Sequence, residues 1–482
     1  MSTLTAPADQ LQLTGWLFLR LLALIYCVAF LSLAGPVAGL AGPQGILPLE
    51  SYMADVEAAL GQPAAWLWLP TLFWGTGGSD QALQASAYLG ALLSLALLLG
   101  RWERPLLIAL FLLYLSLYHA GQIFTNFQWD TLLLETGFLA IFLVGGANRM
   151  LIMAFEWLLF RLRFMSGFFK LFSGDPSWAD LTTLNHYFES QPLPHIGSWY
   201  AHQLPGWLLK SGTGLTLFSE LVIPFFIFLP RPLRLTAAAI TLLMQLLIIA
   251  TSNHNFINLL TILLCLFLLD DRIVGRLLPA GIKRRFAAQP QRPGGAKTLL
   301  ISVAALLIVA ASLIGFTSHI IRKPLPAPVQ NIYDSVRRYG IGNIYHVYPT
   351  MQTERQELII QGSQDGRVWK TYEFKYKPGD PAGRPRFNVP HQPRLDWMVW
   401  FVPTQQRVQM FWFDKFMRRL HQGSPSVTEL LAVNPFPRQA PRFLRVRVYR
   451  YEFTDAVTRR ENGVWWKTTY LGEFPRVAPR RP

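Results

Sequence analysis

The sequence predicts a polytopic α-helical membrane protein of about nine spans, followed by a mostly β, sandwich-like domain that faces outward. Of its 482 residues, 51% are hydrophobic, too large a share for one ordinary soluble domain of this length. Its charge is also uneven. Residues 321–482 carry 27 Lys and Arg against 13 Asp and Glu, whereas residues 1–320 carry 17 against 15. We therefore expect a membrane domain at 1–320 and a basic, water-facing domain at 321–482.

Apolar runs define the predicted spans. A helix needs about 20 residues to cross a bilayer, and several runs are shorter, which favours tilted or partly re-entrant helices. The run Met150–Phe172 is the least regular because it contains Glu156, Arg161, Arg163 and Lys170. The nine predicted spans are Gly15–Val37, Ala82–Leu99, Pro105–Ile123, Trp129–Val144, Met150–Phe172, Trp207–Leu229, Leu235–Thr251, Phe256–Leu269 and Thr298–Thr317.

Basic residues in the connections predict the orientation, since cytoplasmic loops are enriched in Lys and Arg. The richest connection is Arg272–Lys297. With nine spans, this pattern predicts a cytoplasmic N-terminus and an extracytoplasmic C-terminal domain. The residues that mark the cytoplasmic side are Arg101, Arg104, Arg149, Arg231, Arg234, Arg272, Arg276, Lys283, Arg284, Arg285, Arg292 and Lys297.

The two cysteines, Cys27 and Cys265, lie in separate apolar runs. Because the sequence has no Cys-x-x-Cys, a thiol–disulfide exchange centre is not expected. The outer domain has no cysteine, and the chain has no Asn-x-Ser/Thr sequon. The predicted location is a bacterial inner membrane or an endoplasmic reticulum membrane, and these absences favour the former.

Two carboxylate residues lie near the start of one of the predicted spans. Asp130 and Glu135 lie in the run Phe127–Phe138, which continues as an apolar segment. A carboxylate at membrane depth is costly, so it faces a protein interior, a cavity or a positive partner. Two interpretations remain open here: a polar helix start with Glu135 paired to a neighbouring helix, or a functional site. The candidates predicted to line an outward-open cavity beside Asp130 are Gln128, Trp129, His202, Asn253, His254 and Asn255.

Several classes of site are not predicted. The loop Ser173–Gly206 is rich in Asp, Glu and His, but it lacks the paired His or Cys spacing of recognised metal sites. No Walker A or dinucleotide motif occurs, so no cofactor is predicted. No Gly-x-Ser-x-Gly elbow occurs, so the chain is not itself an α/β-hydrolase-type lipase. No nucleic-acid motif accompanies the basic charge, which instead suits anionic lipid headgroups or an acidic client.

The outer domain shows alternation of apolar and polar residues at the period of strands. Strands are predicted at Glu357–Gly362, Trp369–Tyr376 and Phe443–Phe453, and helical segments at Asp396–Phe401 and Gln409–Leu420. In the segment His391–Trp397, Arg394 and Asp396 are two residues apart. On a strand they would lie on one face and pair.

Six motifs, in order along nearly the whole chain, resemble the lipase maturation factor family. This resemblance implies a membrane-anchored factor that helps client enzymes reach their active fold, with a lipase or another secreted enzyme and the lipid bilayer as partners. The motifs are Phe127–Phe138, Ser173–Trp178, Glu189–Pro194 with Trp199–Pro205, Tyr376–Gly379, Pro390–Trp397, and Asn434–Pro437 before Tyr449–Phe453.

For such a role, aromatic and basic residues of the outer domain would hold the client near the bilayer. Exposed tryptophans beside arginines are the expected surface, although some must belong to the core. The tryptophans considered are Trp397, Trp400, Trp412, Trp465 and Trp466. The client-binding candidates are Arg394, Asp396, Trp397 and Trp400.

A shorter element, Arg163–Leu171 followed by Trp178, resembles the horizontally transferred transmembrane superfamily, which includes the vitamin K-dependent carboxylases. In those enzymes the lysine of this element acts as a base, and Lys170 holds the matching position. The resemblance implies an alternative function: a membrane-embedded enzyme around Lys170, Asp130 and Glu135 that modifies a lipid-like molecule or a client side chain. The structural interpretation is that Lys170 pairs with a nearby carboxylate or extends to headgroups.

Overall fold

The computed structural model describes residues 11–282, 294–323, 325–404 and 410–475. A helical bundle is followed by a smaller C-terminal segment with an antiparallel sheet. The predicted class, a helical membrane protein with β structure at its C-terminal end, is confirmed at this level. Residues Lys283, Arg284, Arg285 and Arg292 of the basic connection lie outside the described ranges.

The bundle consists of long apolar helices joined by short helices and turns. In chain order its α-helices are α1 Gln12–Ala34, α2 Val37–Ala41, α3 Leu49–Leu60, α4 Ala64–Trp68, α5 Phe73–Thr76, α6 Asp80–Leu98, α7 Glu103–Ala120, α8 Gln128–Leu143, α9 Arg149–Phe172, α10 Pro176–Ala179, α11 Thr183–Ser190, α12 Ile196–His202, α13 Gly206–Leu221, α14 Arg231–Thr251, α15 Ile257–Leu264, α16 Asp271–Leu277 and α17 Gly295–Ile321. Short 3₁₀ helices follow at Gln122–Phe124, Ile223–Phe228 and Cys265–Leu268.

Five helices of the described ranges are long and apolar enough to cross a membrane: α1, α6, α13 with its 3₁₀ extension, α14 and α17. The predicted number of nine spans is therefore not confirmed. The other four predicted spans are helical, as α7, α8, α9 and α15 with its 3₁₀ extension. They fall short as candidate spans because they are too short, too polar or too charged.

Helix α9 explains how a charged helix fits inside the bundle. It is one continuous helix of 24 residues, and it packs against α8, α13, α15 and α17. The side chains of Glu156, Arg161, Arg163 and Lys170 are all buried. Buried charges need partners, so this helix belongs to the protein interior rather than to the lipid-facing layer.

The C-terminal segment combines one sheet with several helices. Its four strands are antiparallel, in the order β2–β1–β3–β4, and Leu358 of β1 lies opposite Val448 of β3. The elements are α18 Ala327–Arg338, β1 Arg355–Ser363, β2 Lys370–Thr371, α19 Arg394–Val399, a 3₁₀ turn at Val402–Thr404, α20 Phe411–His421, α21 Pro425–Thr428, β3 Phe443–Phe453, α22 Ala456–Asn462 and β4 Trp466–Phe474.

The predicted sandwich was wrong in its architecture, because the described residues form a single sheet. The predicted strand Trp369–Tyr376 shrinks to the two residues of β2, since only Lys370 and Thr371 pair with β1. Beyond them the chain turns away, and Glu373 bridges to Val433. Helices then cover the inner face of the sheet, where a second sheet would lie in a sandwich.

The two largest hydrophobic cores cross the predicted boundary at residue 320. Tyr345 and Trp397 belong to the core of the bundle. Leu40 and Phe124, from the bundle, belong to the core that contains Leu358 and Trp412. The two parts of the chain are therefore packed against each other, and this shared interface positions the candidate site.

Candidate functional site

A buried ion pair joins the bundle to the C-terminal segment. Asp130, in the first turn of α8, accepts two hydrogen bonds from Arg394, with Nη1–Oδ2 at 2.6 Å and Nη2–Oδ1 at 2.7 Å. Tyr114 donates its hydroxyl to Asp130 Oδ1 at 2.6 Å. Both charged side chains have no exposed surface. The fork of the guanidinium matches the carboxylate geometry, which makes this a strong and specific contact.

This geometry corrects the predicted pairing of Arg394 with Asp396. The two residues lie on helix α19, where positions two apart point about 200° apart. Asp396 Oδ1 instead accepts hydrogen bonds from the backbone N–H groups of Tyr376 at 2.6 Å and Lys377 at 3.0 Å. Burial raises the pKa of the Asp396 carboxyl above its ordinary value.

His391 lies directly before this ion pair along the chain. Its Nδ1 is 2.9 Å from the hydroxyl of Ser32 on α1. Burial, together with the positive charges of Arg394 and Lys375, lowers the pKa of His391 to about 4. The imidazole is therefore neutral at physiological pH, and it adds no further positive charge beside Arg394.

A second buried pair lies one turn and a half further along α8. Glu135 pairs with Arg161 of α9, and both side chains are fully buried. Glu135 Oε2 also accepts a hydrogen bond from Tyr345 at 3.1 Å, and Arg161 donates to the carbonyl of Asn343 at 2.9 Å. The C-terminal segment thus completes this pair as well.

Lys170 belongs to a third group of charges. Its Nζ lies 2.8 Å from Glu220 Oε2 and donates to the carbonyl of Val347 at 2.7 Å. Arg163 approaches the other oxygen of Glu220 at 3.5 Å. Asp130, Glu135 and Lys170 therefore lie in three separate ion pairs. The predicted single cavity centred on these three residues is not what the structure forms.

A cavity of about 620 Å³ lies between the bundle and the C-terminal segment, within the usual range for ligand sites. We call it the interdomain cavity. Three of the predicted lining residues, Gln128, Trp129 and His254, line it together with Trp397 and Trp400. The rings of Trp129 and Trp397 meet edge to face at 5.1 Å.

The remaining predicted lining residues have other contacts. Asn253 donates to the carbonyls of Leu193 at 3.0 Å and Arg386 at 2.8 Å. Asn255 donates to Gln392 Oε1 at 2.9 Å. His202 Nε2 lies 3.6 Å from Glu189. The two asparagines fasten the C-terminal segment to the α14–α15 connection, whereas His202 lies beside β3.

The predicted client-binding residues are mostly buried. Arg394, Asp396 and Trp397 are at most 5% exposed, so in this conformation they do not provide an accessible surface. Trp400 is half-buried and donates its Nε1–H to the carbonyl of Ser190 at 2.7 Å. The other three tryptophans considered for an exposed surface, Trp412, Trp465 and Trp466, are also buried. Trp412 packs in the core beneath the inner face of the sheet, whereas Trp465 and Trp466 pack with Trp199, Tyr451 and Phe453 in a separate cluster, which corrects that expectation.

Sequence reasoning missed an aromatic and basic surface on the outer side of the sheet. The guanidinium of Arg445 lies 4.0 Å from the ring centre of Trp369, and that of Arg447 lies 5.6 Å from the ring centre of Tyr470. Tyr449 contacts Tyr470 at 5.3 Å. We call these five residues the aromatic–basic face. The alternation Arg445-Val446-Arg447-Val448 could have predicted this surface, since it places both arginines on the face of the sheet away from the buried valines.

Within the described ranges, no three His, Cys, Asp or Glu side chains come together as metal ligands. The site therefore consists of buried ion pairs, an aromatic cavity and an exposed aromatic–basic face. Such features suit positioning and binding of a partner.

Comparison with known proteins identifies the family. A family model described as the lipase maturation factor transmembrane domain matches residues 13–276, and one described as the lipase maturation factor C-terminal domain matches residues 341–476. Lipase maturation factor 1 of Bos taurus is 34% identical, over 97% of this chain and 89% of its own length. Lipase maturation factor 1 of Mus musculus is 33% identical over 97% and 88%, and lipase maturation factor 2 of Xenopus tropicalis is 32% identical over 95% and 81%.

No solved structure shows a significant match. The two family models together cover most of the chain, and the relatives align over nearly all of it. Five helices long and apolar enough to cross a membrane accompany these matches. The chain is an integral membrane protein that belongs to the lipase maturation factor family.

Proposed function

We propose that this protein is a membrane-anchored maturation factor for secreted client enzymes, and that its clients are lipases. The observation that carries the proposal is the similarity to lipase maturation factors over 97% of the chain. Because that similarity includes both the bundle and the C-terminal segment, the proposed function belongs to the whole chain.

The client would contact the aromatic–basic face. Trp369 and Arg447 are half-exposed, and Tyr470 is exposed. Tyr, Trp and Arg are the side chains that dominate binding energies at protein interfaces. The net positive charge of this segment would attract an acidic client surface and speed its association. Helices α11 and α12 cover one end of this side of the sheet, at Arg355, Tyr451 and Phe453. The aromatic–basic face lies on the other part, where its residues are half-exposed or exposed and therefore accessible to a partner.

A secreted client requires the C-terminal segment to lie on the extracytoplasmic side of the membrane. The proposed membrane is a bacterial inner membrane or the endoplasmic reticulum membrane, as the sequence predicts. Arg231 and Arg234 at the start of α14, and Lys297 at the start of α17, support this orientation, since basic residues favour the cytoplasmic end of a span.

The alternative function, a membrane-embedded enzyme, has less support. Its three candidate residues do not converge, because Asp130 pairs with Arg394, Glu135 with Arg161 and Lys170 with Glu220. General acid–base chemistry would need such groups within reach of one substrate atom.

The proposed client surface predicts a loss of lipase maturation when its arginines lose their charge. In cells deleted for this protein, the Arg445→Gln/Arg447→Gln variant is expected to restore client lipase specific activity about fivefold less than wild type, since interface arginines carry much of the binding energy. Glutamine keeps the polarity and avoids repulsion with Glu473, which lies opposite Arg447. Lipase activity per mass of lipase measures the effect.

A matched control removes the same charge elsewhere. Lys415 and Arg418 are exposed on α20, so Lys415→Gln/Arg418→Gln is expected to support normal maturation. Membrane levels of all variants are compared by immunoblot. Equal rescue by both double variants would show that the client does not use the aromatic–basic face.

A further inference from the structure

A second cavity, of about 400 Å³, opens sideways from the bundle. We call it the lateral cavity. Leu208 and Leu215 of α13 and Leu247 of α14 line it and are 38%, 65% and 54% exposed. Both helices are candidate membrane spans. Large apolar side chains exposed on such helices face lipid acyl chains, so the mouth of this cavity opens to the hydrocarbon region.

The inner end of the lateral cavity is charged. Lys170, Arg163 and Glu220 line it, and their side chains are only 4–7% exposed. Two cations there meet one carboxylate, so among the described lining residues one positive charge is in excess. An excess charge in a medium of low dielectric constant is costly unless a counter-charge joins it. An anionic group entering this end would provide that counter-charge.

Several buried polar atoms of the lining residues have no hydrogen-bond partner among the described residues, and two of them are Nε1 of Trp178 and Oδ1 of Asn258. The side chains are 4% and 1% exposed. Buried polar groups almost always find partners. One is a donor and the other an acceptor, so a ligand group that both accepts and donates hydrogen bonds would satisfy them. The Lys170 ammonium lies 5.1 Å from the ring centre of Trp178, which places the donor beside the charge.

We propose that the lateral cavity binds an anionic lipid taken from the surrounding bilayer. One acyl chain would enter between α13 and α14, along Leu215 and Leu247. The anionic headgroup would lie against Lys170 and accept the indole N–H of Trp178. Asn258 would accept a hydrogen bond from a headgroup hydroxyl where the lipid has one, as phosphatidylglycerol does. The shared chemistry is an acyl chain with a carboxylate or phosphate head, whose source is a free fatty acid or a phospholipid. This binding site does not depend on the proposed client function.

The test uses the full-length protein in phosphatidylcholine nanodiscs that contain a trace of a diazirine-labelled lipid. The three probes are palmitic acid, phosphatidylglycerol and phosphatidylcholine. After irradiation, the crosslink yield is measured and the labelled peptides are mapped. For wild type we expect labelling on α13 and α14, about tenfold stronger for at least one anionic probe than for phosphatidylcholine. One charged hydrogen bond corresponds to about this ratio.

Two variants separate the roles of the charge and the cavity. Lys170→Gln leaves Arg163 to balance Glu220, so the labelling by the anionic probe is expected to fall to about the level of the labelling by phosphatidylcholine. Leu247→Trp fills the mouth and is expected to lower the labelling of α13 and α14 by every probe. Its control is Leu243→Trp, one turn away on the same helix and similarly exposed at 58%, which does not line the cavity.

Labelling by palmitic acid alone, or by phosphatidylglycerol alone, supports the proposal and identifies the source of the lipid. Equal labelling of wild type by the neutral and anionic probes would overturn the choice of an anionic lipid. Unchanged labelling in Leu247→Trp would overturn the location. If Lys170→Gln does not accumulate, the wild-type comparison of probes and the pair of leucine variants still decide both points.

Discussion

Replacing Arg394 by Met is expected to lower the stability of the protein by about 3–5 kcal/mol, because it leaves Asp130 charged, buried and without its partner. Asp130 has no exposed surface, and its second contact, the hydroxyl of Tyr114, does not supply a charge. Thermal unfolding of the purified protein in detergent, followed by fluorescence-detected size exclusion, measures the loss. The membrane level of the variant should fall in parallel.

A double-variant cycle provides the control. Asp130→Leu alone should also destabilise, since it leaves Arg394 buried without a carboxylate. Asp130→Leu/Arg394→Met removes both charges and is expected to recover more than half of the loss, because apolar replacement of a whole buried ion pair is often nearly neutral. If the double variant shows the sum of the two single losses, the contact does not act as a pair.

Replacing Arg355 by Met is the second change with a large expected effect, about 3–5 kcal/mol of stability. Arg355 begins β1 and is 1% exposed. It donates to Glu357 Oε1 at 2.5 and 2.7 Å, and to the backbone carbonyls of Glu189, Gln191 and Pro192. One side chain thus satisfies three carbonyls of the α11–α12 connection and holds it against the sheet. Loss of the Arg355 guanidinium would leave these three carbonyls buried without a hydrogen-bond donor.

Two control variants test this prediction. Arg355→Lys should lose nearly as much stability as Arg355→Met, because an ammonium lacks the planar fork that reaches a carboxylate and several carbonyls at once. Arg450→Met, on the neighbouring strand, should change stability by less than about 1 kcal/mol, since Arg450 is 36% exposed and its ion pairs with Glu354 and Glu452 are 3.7 and 3.6 Å long. Equal losses in Arg355→Met and Arg450→Met would contradict the prediction.

Some elements follow directly from local sequence. The strand predicted at Phe443–Phe453 has these bounds in the structure, because alternation at period two is a local property of the residues. The helices predicted at Asp396–Phe401 and Gln409–Leu420 are present with shifted bounds, as α19 Arg394–Val399 and α20 Phe411–His421. Long apolar runs likewise predicted α1, α14 and α17 as spans, since their composition alone fits them to a bilayer.

Other features depend on residues distant in sequence. Local reasoning established that Asp130 needs a partner, but that partner, Arg394, lies 264 residues away. In the sequence, Asp396 is a much nearer candidate carboxylate for Arg394. Burial of Trp412 and Trp466 depends on what covers the sheet, which no local pattern reveals. The basic residues of α9 obscured its place in the interior, because their partners Glu135 and Glu220 belong to other helices.

The long separation between Asp130 and Arg394 has a consequence for biosynthesis. Helix α8 is made well before its positive partner, so the newly inserted bundle contains an uncompensated carboxylate until about four-fifths of the chain has been synthesised. Assembly of the bundle is therefore completed from its C-terminal end, after translation has passed Arg394. A chain that stops earlier leaves Asp130 as an unneutralised charge, a feature by which membrane quality control can distinguish unfinished molecules from finished ones.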